Sequence, residues 1–100
     1  MNKVAFITGG TRGIGRQIAI TLAENGYDIA VNYRTNNNAI ITLKEEVERN
    51  NVKFIAVQGD VSKYEDTENM INEIIRQYTR IDVLVNNAGF GDCGYFTKTS

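Results

Sequence analysis

The sequence predicts an α/β fold, a doubly wound parallel sheet forming a single domain over residues 1–100. Three observations carry this. Strand-like and amphipathic helical segments alternate in the order β-α-β-α-β-α-β. The strand segments are continuous apolar runs, the mark of a parallel sheet covered on both faces by helices. The first of them breaks directly into a glycine loop, Thr8-Gly9-Gly10-Thr11-Arg12-Gly13-Ile14-Gly15, and a helical pattern follows at once. Right-handed crossovers then give the strand order 3-2-1-4.

The elements follow in order. Val4–Thr8 is the first strand and Ile14–Asn25 the first helix, with Ile14, Ile18, Ala19 and Leu22 on one face. Gly26 stands at the helix C-cap. Asp28–Tyr33 is the second strand, and Asn36-Asn37-Asn38 offers N-cap chemistry for a second helix. Its core positions are Ile40, Leu43 and Val47, and Asn50-Asn51 ends it. Lys53–Gln58 is the third strand. Ser62-Lys63-Tyr64-Glu65 matches a capping box opening a third helix, whose stripe is Met70, Ile71, Ile74, Ile75 and Tyr78. Asp82–Asn86 is the fourth strand, and after Gly89 the chain is polar and glycine-rich.

Composition excludes several classes. A net charge of −1 gives no electrostatic footprint for nucleic acid or an anionic membrane. No apolar run approaches the roughly 20 residues that span a bilayer, and Met1-Asn2-Lys3 runs straight into a strand without a signal peptide. The single cysteine, Cys93, excludes an intrachain disulfide and fits a reducing, cytoplasmic setting. With no histidine in the chain, the commonest metal ligand and general base are missing, so no metal site is expected and Cys93 reads as an incidental thiol.

The glycine loop is the place for chemistry. A strand, a glycine turn and a helix N-terminus together make an anion site, because free amides and the positive end of the helix dipole face the ligand. The strict dinucleotide fingerprint fails, since Ile18 stands where its last glycine belongs. A P-loop fails too, with Arg16 and Gln17 replacing its lysine and hydroxyl. What matches is Thr8-Gly9-x-x-x-Gly13-x-Gly15, joined by Asn86-Asn87-Ala88-Gly89 after the fourth strand and Asp60-Val61 after the third. In these motifs the chain resembles the short-chain dehydrogenase/reductase family over essentially its whole length, and within it the 3-oxoacyl-acyl carrier protein reductases.

The resemblance implies a Rossmann-type sheet and a nicotinamide dinucleotide cofactor. Gly9, Thr11, Arg12, Gly13, Ile14 and Gly15 would bind the cofactor at the glycine loop, Asp60 and Val61 at the adenine, and Asn87, Ala88 and Gly89 near the ribose. For Asp60 the alternative is a solvated loop carboxylate or a partner of the third helix dipole; for Asn86 and Asn87 it is a buried amide tying adjacent strands together, the favoured reading for Asn86. NAD sites usually end the second strand with an acid, roughly 20 residues past the glycines; Val31-Asn32-Tyr33-Arg34-Thr35-Asn36 has none. Arg34 stands where a 2′-phosphate would lie and Arg12 reaches it from the glycine loop, so NADP is expected, with NADPH preferred over NADH.

The same resemblance implies a hydride-transferring oxidoreductase acting on a small-molecule carbonyl or alcohol. Its catalytic Ser and Tyr-x-x-x-Lys are not found in these 100 residues: Tyr95 precedes Lys98 by three positions, not four. The expectation is therefore the cofactor-binding N-terminal half of a longer enzyme, a truncated domain without catalytic residues. The alternative is a nucleotide-binding or interaction module, inactive as it stands. Such a half-sheet would leave Val83-Leu84-Val85 as an apolar edge and leave apolar surface on the face carrying only the third helix. Self-association into a homo-oligomer is expected from both.

Overall fold

The computed structural model describes residues 2–35, 38–87 and 95–97. It holds β1 (Val4–Thr8), α1 (Gly13–Glu24), β2 (Asp28–Tyr33), α2 (Asn38–Glu48), β3 (Phe54–Gln58), α3 (Tyr64–Tyr78), β4 (Val83–Asn86) and β5 (Tyr95–Thr97). The sheet order is β3-β2-β1-β4-β5, so the expected 3-2-1-4 arrangement is present. β1 to β4 are parallel, with Phe6 opposite Ala30 on one side and Leu84 on the other.

Strand alternation sorts the apolar runs onto two faces. Ala5, Ile7, Ile29, Val31 and Phe54 pack against Ala19 and Ala23 of α1 and Leu43 and Val47 of α2. Val4, Phe6, Ala30 and Val57 pack against Met70, Ile74 and Tyr78 of α3. β1 and residues 28–32 of β2 are wholly buried because they lie between both helical layers. The Tyr78 hydroxyl donates to the Ile29 carbonyl at 3.1 Å. Burial, and after it the charges of Asp28 and Glu48, push this phenol well above its ordinary value. Helix α1 stops as expected: the Gly26 amide donates to the Ala23 carbonyl and the Tyr27 amide to that of Leu22, a Schellman closure.

Three details depart from the sequence expectation. Ile14 is 75% exposed and off the core stripe. It lies in the first turn of α1, beyond the sheet end, and the buried stripe is Gly15, Ala19 and Ala23, small residues that bring the helix close to the strands. The Ser62–Glu65 capping box does not form. Lys63 is the N-cap of α3, without a side-chain cap, because the Ser62 amide and hydroxyl both donate to Asp60 Oδ1, at 2.9 and 2.7 Å. β4 is not an edge, since β5 pairs with it antiparallel, Leu84 opposite Phe96. Tyr95 thus belongs to a strand. An apolar groove of about 370 Å³, lined by Gln17, Ile18, Thr21, Leu22, Val83 and Val85, lies on the α1–α2 face. There α1 covers β1 and β2 but stops short of β4.

The amino end of the sheet is closed by two buried carboxylates. Asp28 Oδ1 accepts the Lys53 amide at 2.9 Å and the Asn2 side-chain amide at 3.1 Å. Asp82 Oδ2 accepts the Val4 amide at 2.8 Å, and both its oxygens are bonded by Arg80, at 2.7 and 2.6 Å. The Arg80 hydrogen bonds hold the Asp82 carboxyl below the usual carboxylate range, against burial, with the Val4 amide assisting. A carboxylate whose pKa falls on folding stabilises the fold above its unfolded value, about 3.9, and loses that contribution as pH drops through the folded value. In urea titrations at pH 7, Asp82→Asn is expected to cost about 2 kcal/mol, and the gap to wild type closes below about pH 4. An equal gap at pH 3 and pH 7 contradicts this.

Candidate functional site

With four strands parallel, their carboxyl ends lie side by side, and the chain reverses direction across the sheet at β1, between β2 and β4. A crevice at such a point is where open α/β sheets take ligands. The β1–α1 loop is built for close approach. Gly9 and Gly13 hold φ of 66° and 54°, in the left-handed region that glycine enters without strain. A Cβ on Gly15 would stand 2.4 Å from the Gly9 carbonyl oxygen and 2.6 Å from Asn87 Nδ2, whereas one on Gly13 would meet nothing within 4 Å. The loop is tight at Gly15 and open at Gly13.

The electrostatics of that opening are positive. The first-turn amides of α1 have no helical carbonyl to bond. Arg12 is the N-cap residue, exposed and without a side-chain cap, and α1 has no acidic residue in its first turn. A cation at the positive end of a helix dipole is unfavourable by itself and is relieved by an anion. The half-buried Thr11 offers its carbonyl to Arg16 at a long 3.5 Å. Arg16 is not free for a ligand: it donates to the Ala39 carbonyl and pairs with Glu46 at 2.6 Å, tying α1 to α2. Ile14 stands in the open at the start of α1.

The second cluster surrounds a polar cavity of about 420 Å³ at the ends of β2 and β3, lined by Arg34, Gln58, Gly59, Asp60, Lys63 and Asp66, among others. The Arg34 side chain is 75% exposed, and its guanidinium is 3.6 Å from Asp60 Oδ2. The Asp60 carboxyl sits below its ordinary range, first because the Ser62 hydroxyl and then the Ser62 amide bond it, with Arg34 and Lys63 adding charge. The Asp60 amide donates to Asp66 Oδ2 at 2.9 Å, which fixes the loop to the first turn of α3. Val61 is half-buried and packs toward the α3-face core.

The sequence-predicted residues thus form two groups. Gly9, Gly15 and Asn87 touch one another, with Asn87 Nδ2 donating to the Gly9 carbonyl at 3.3 Å. Arg34 and Asp60 form the other. Asn86 accepts the Thr8 hydroxyl at 3.2 Å and ties β4 to β1. Ala88, Gly89, Cys93, Lys98 and the Asn36-Asn37 cap lie outside the described residues. Asn32 was missed by sequence reasoning. It is 5% exposed, accepts the Gly9 amide at 2.7 Å and donates to the Gly59 carbonyl at 3.1 Å. Its signal was legible: a carboxamide following Ile29-Ala30-Val31 in a buried strand needs partners.

Comparison with known proteins fits this geometry. The family described as short chain dehydrogenase matches residues 3–100. The chain belongs to that family. It is 46% identical over 89 residues to a 3-oxoacyl-[acyl-carrier-protein] reductase FabG of Staphylococcus epidermidis, covering 89% of this chain and 36% of the relative. A FabG of Staphylococcus aureus is 44% identical over the same length. The chain therefore spans about a third of the curated relatives it matches. Among solved structures, a blue fluorescent protein from a metagenomic library, in complex with NADPH, superposes with TM-score 0.82 at 39% identity over 92% of this chain and 38% of its own. Acetoin dehydrogenase YohF from Salmonella typhimurium does so at 0.81 and 32%, over 90% and 36%.

In this short-chain dehydrogenase chain, Gly15→Ala forces the glycine loop or Asn87 to move. It is expected to cost about 2 kcal/mol in thermal or urea unfolding, the usual scale of overpacking. Wild-type stability of the alanine variant contradicts the tight packing.

Proposed function

We propose that the protein is an NADP-dependent oxidoreductase of the short-chain dehydrogenase type, reducing a small-molecule carbonyl or oxidising the corresponding alcohol, and that this chain carries its cofactor-binding part. One observation carries the reading: the positive opening at Gly13, with Arg12 as N-cap, no acid in the first turn of α1, and the exposed Arg34 just past a β2 that ends without an acid. The names of its relatives support it, FabG reductases by sequence and an NADPH complex by structure.

The residues take these parts. Gly9, Thr11, Gly13, Ile14 and Gly15 frame the diphosphate with backbone and first-turn amides. Arg12 and Arg34 take the 2′-phosphate. Asp60 Oδ1 already has two donors on Ser62, so Oδ2, in only a long contact with Arg34 among the described residues, is the oxygen for the adenine amino group. Val61 lies beside the adenine, and Asn87, Ala88 and Gly89 beside the ribose. A bound nicotinamide would supply or accept the hydride. A cytoplasmic setting is part of the reading, and no nucleic-acid or membrane partner is proposed; among the described residues no helix is long and apolar enough to cross a membrane. A homo-oligomer is part of the reading, supported by the apolar groove between α1 and β4.

A second reading keeps the binding and drops the chemistry for these 100 residues alone: no Tyr-x-x-x-Lys occurs in them, and Tyr78 spends its hydroxyl on a buried carbonyl. Following NADPH absorbance with a 3-oxoacyl substrate, on this chain and on any longer form, separates the two: turnover by the longer form alone supports the first with this chain as its cofactor-binding part, and turnover by this chain alone rejects the second.

In calorimetric titration NADPH is expected to bind at least about tenfold tighter than NADH, the worth of one charged hydrogen bond. Arg34→Asp weakens NADPH by about 1.5 kcal/mol, the lower end for such a contact because the guanidinium is exposed, and leaves NADH unweakened. An NADH dissociation constant equal to or below that for NADPH rejects the specificity.

A further inference from the structure

Asn32 has an unusual setting for a strand residue. β2 runs through the middle of the sheet, Val57 is its partner on β3, and the neighbouring Ala30 and Val31 are fully buried apolar residues. A valine there would satisfy the packing. It would also strand two backbone groups, the Gly9 amide and the Gly59 carbonyl, which now bond Asn32. A carboxamide presents an acceptor and a donor side by side without carrying a charge, and the amide of one partner and the carbonyl of the other fix which way it points.

These bonds extend into a line across all four parallel strands. Asn87, past β4, donates to the Gly9 carbonyl; the Gly9 amide donates to Asn32 on β2; Asn32 donates to the Gly59 carbonyl past β3; and the Gly59 amide donates to the Tyr33 carbonyl at 2.9 Å. The line joins the two clusters of the candidate site. Gly9 opens the glycine loop, and Gly59 immediately precedes Asp60. Gly59 also lies close to Met70, where an added Cβ would meet Sδ at 2.8 Å.

We infer that Asn32 is a positioning residue that couples the glycine loop to the Asp60 loop, so that the diphosphate and adenine halves of the site keep one fixed spacing. The inference rests on the cofactor reading above for its functional consequence, but the coupling itself is a property of the free chain. Asn32 touches neither the expected diphosphate nor the expected 2′-phosphate; it acts through Gly9 and Gly59. Its loss therefore weakens the whole dinucleotide without altering the choice between NADPH and NADH.

Two variants of the full chain separate the two arms. Asn32→Asp, measured at a pH where the carboxylate is ionised, keeps the acceptor for Gly9 and removes the donor to Gly59; Asn32→Ala removes both. Backbone amide exchange is followed by NMR in the absence of ligand, and NADPH and NADH affinities by calorimetry. In Asn32→Ala the Gly9 amide exchanges at least about tenfold faster, as loss of one buried hydrogen bond requires. In Asn32→Asp it stays protected while the amides of Gly59 to Ser62 shift. Both variants lose about tenfold in NADPH affinity, and the NADPH to NADH ratio is unchanged. Unaltered Gly9 exchange in a folded Asn32→Ala chain, or wild-type NADPH affinity in it, overturns the inference. If the alanine variant does not fold, the aspartate variant decides: unshifted Gly59–Ser62 amides or an exposed Gly9 amide overturn the coupling. A wild-type chain that binds neither dinucleotide sinks the cofactor reading, and the exchange arm then judges the coupling alone.

Discussion

The tight contact between the first turn of α1 and the end of β1 governs this structure. Gly15 lies where a side chain would collide with the Gly9 carbonyl and the Asn87 amide. That proximity directs the N-terminal amides of α1 toward the crevice between β1 and β4. It also draws Ala19 and Ala23, on the same helical stripe, into contact with Ala5, Ile7, Ile29 and Val31. Small residues down one face of α1 and a bare backbone at its start are one geometric requirement seen at two heights.

The two ends of the sheet are closed by different chemistry. At the amino end, buried carboxylates of Asp28 and Asp82 collect backbone amides and the Arg80 guanidinium. At the carboxyl end, neutral amides of Asn32 and Asn87 do the equivalent work. A carboxylate can close an end where no anion has to approach. At an anion site it would oppose the ligand at short range in a partly dehydrated crevice, so neutral carboxamides tie the strands and leave the positive potential of α1, Arg12 and Arg34 standing. Where carboxylates do stand at this end among the described residues, they are occupied: the charge of Asp60 is met by Ser62, Arg34 and Lys63, and Asp66 accepts the Asp60 amide.

Much of this was readable from residue pattern. The apolar runs of β1 to β4, the Gly26 stop of α1 and the Met70-Ile74-Tyr78 stripe of α3 each follow from local periodicity or local backbone preference, and each stands where the pattern puts it. Misreadings arose where two local preferences competed. Ser62 is a good cap by composition, but Asp60, two residues earlier, takes both its amide and its hydroxyl. Ile14 fits the apolar spacing of α1 but falls past the end of the strands that would cover it.

The sequence by itself determined the element order, the parallel sheet, and the loop in which glycines replace side chains, because these depend on periodicity and on φ/ψ preferences of neighbouring residues. It could not place Asn32 between Gly9 and Gly59, pair Arg34 with Asp60, or seat β5 beside β4. Those contacts join residues far apart in the chain, and only the strand register brings them within hydrogen-bonding or ion-pairing reach. A buried asparagine announces that it needs partners; which ones it finds is decided by the folded sheet.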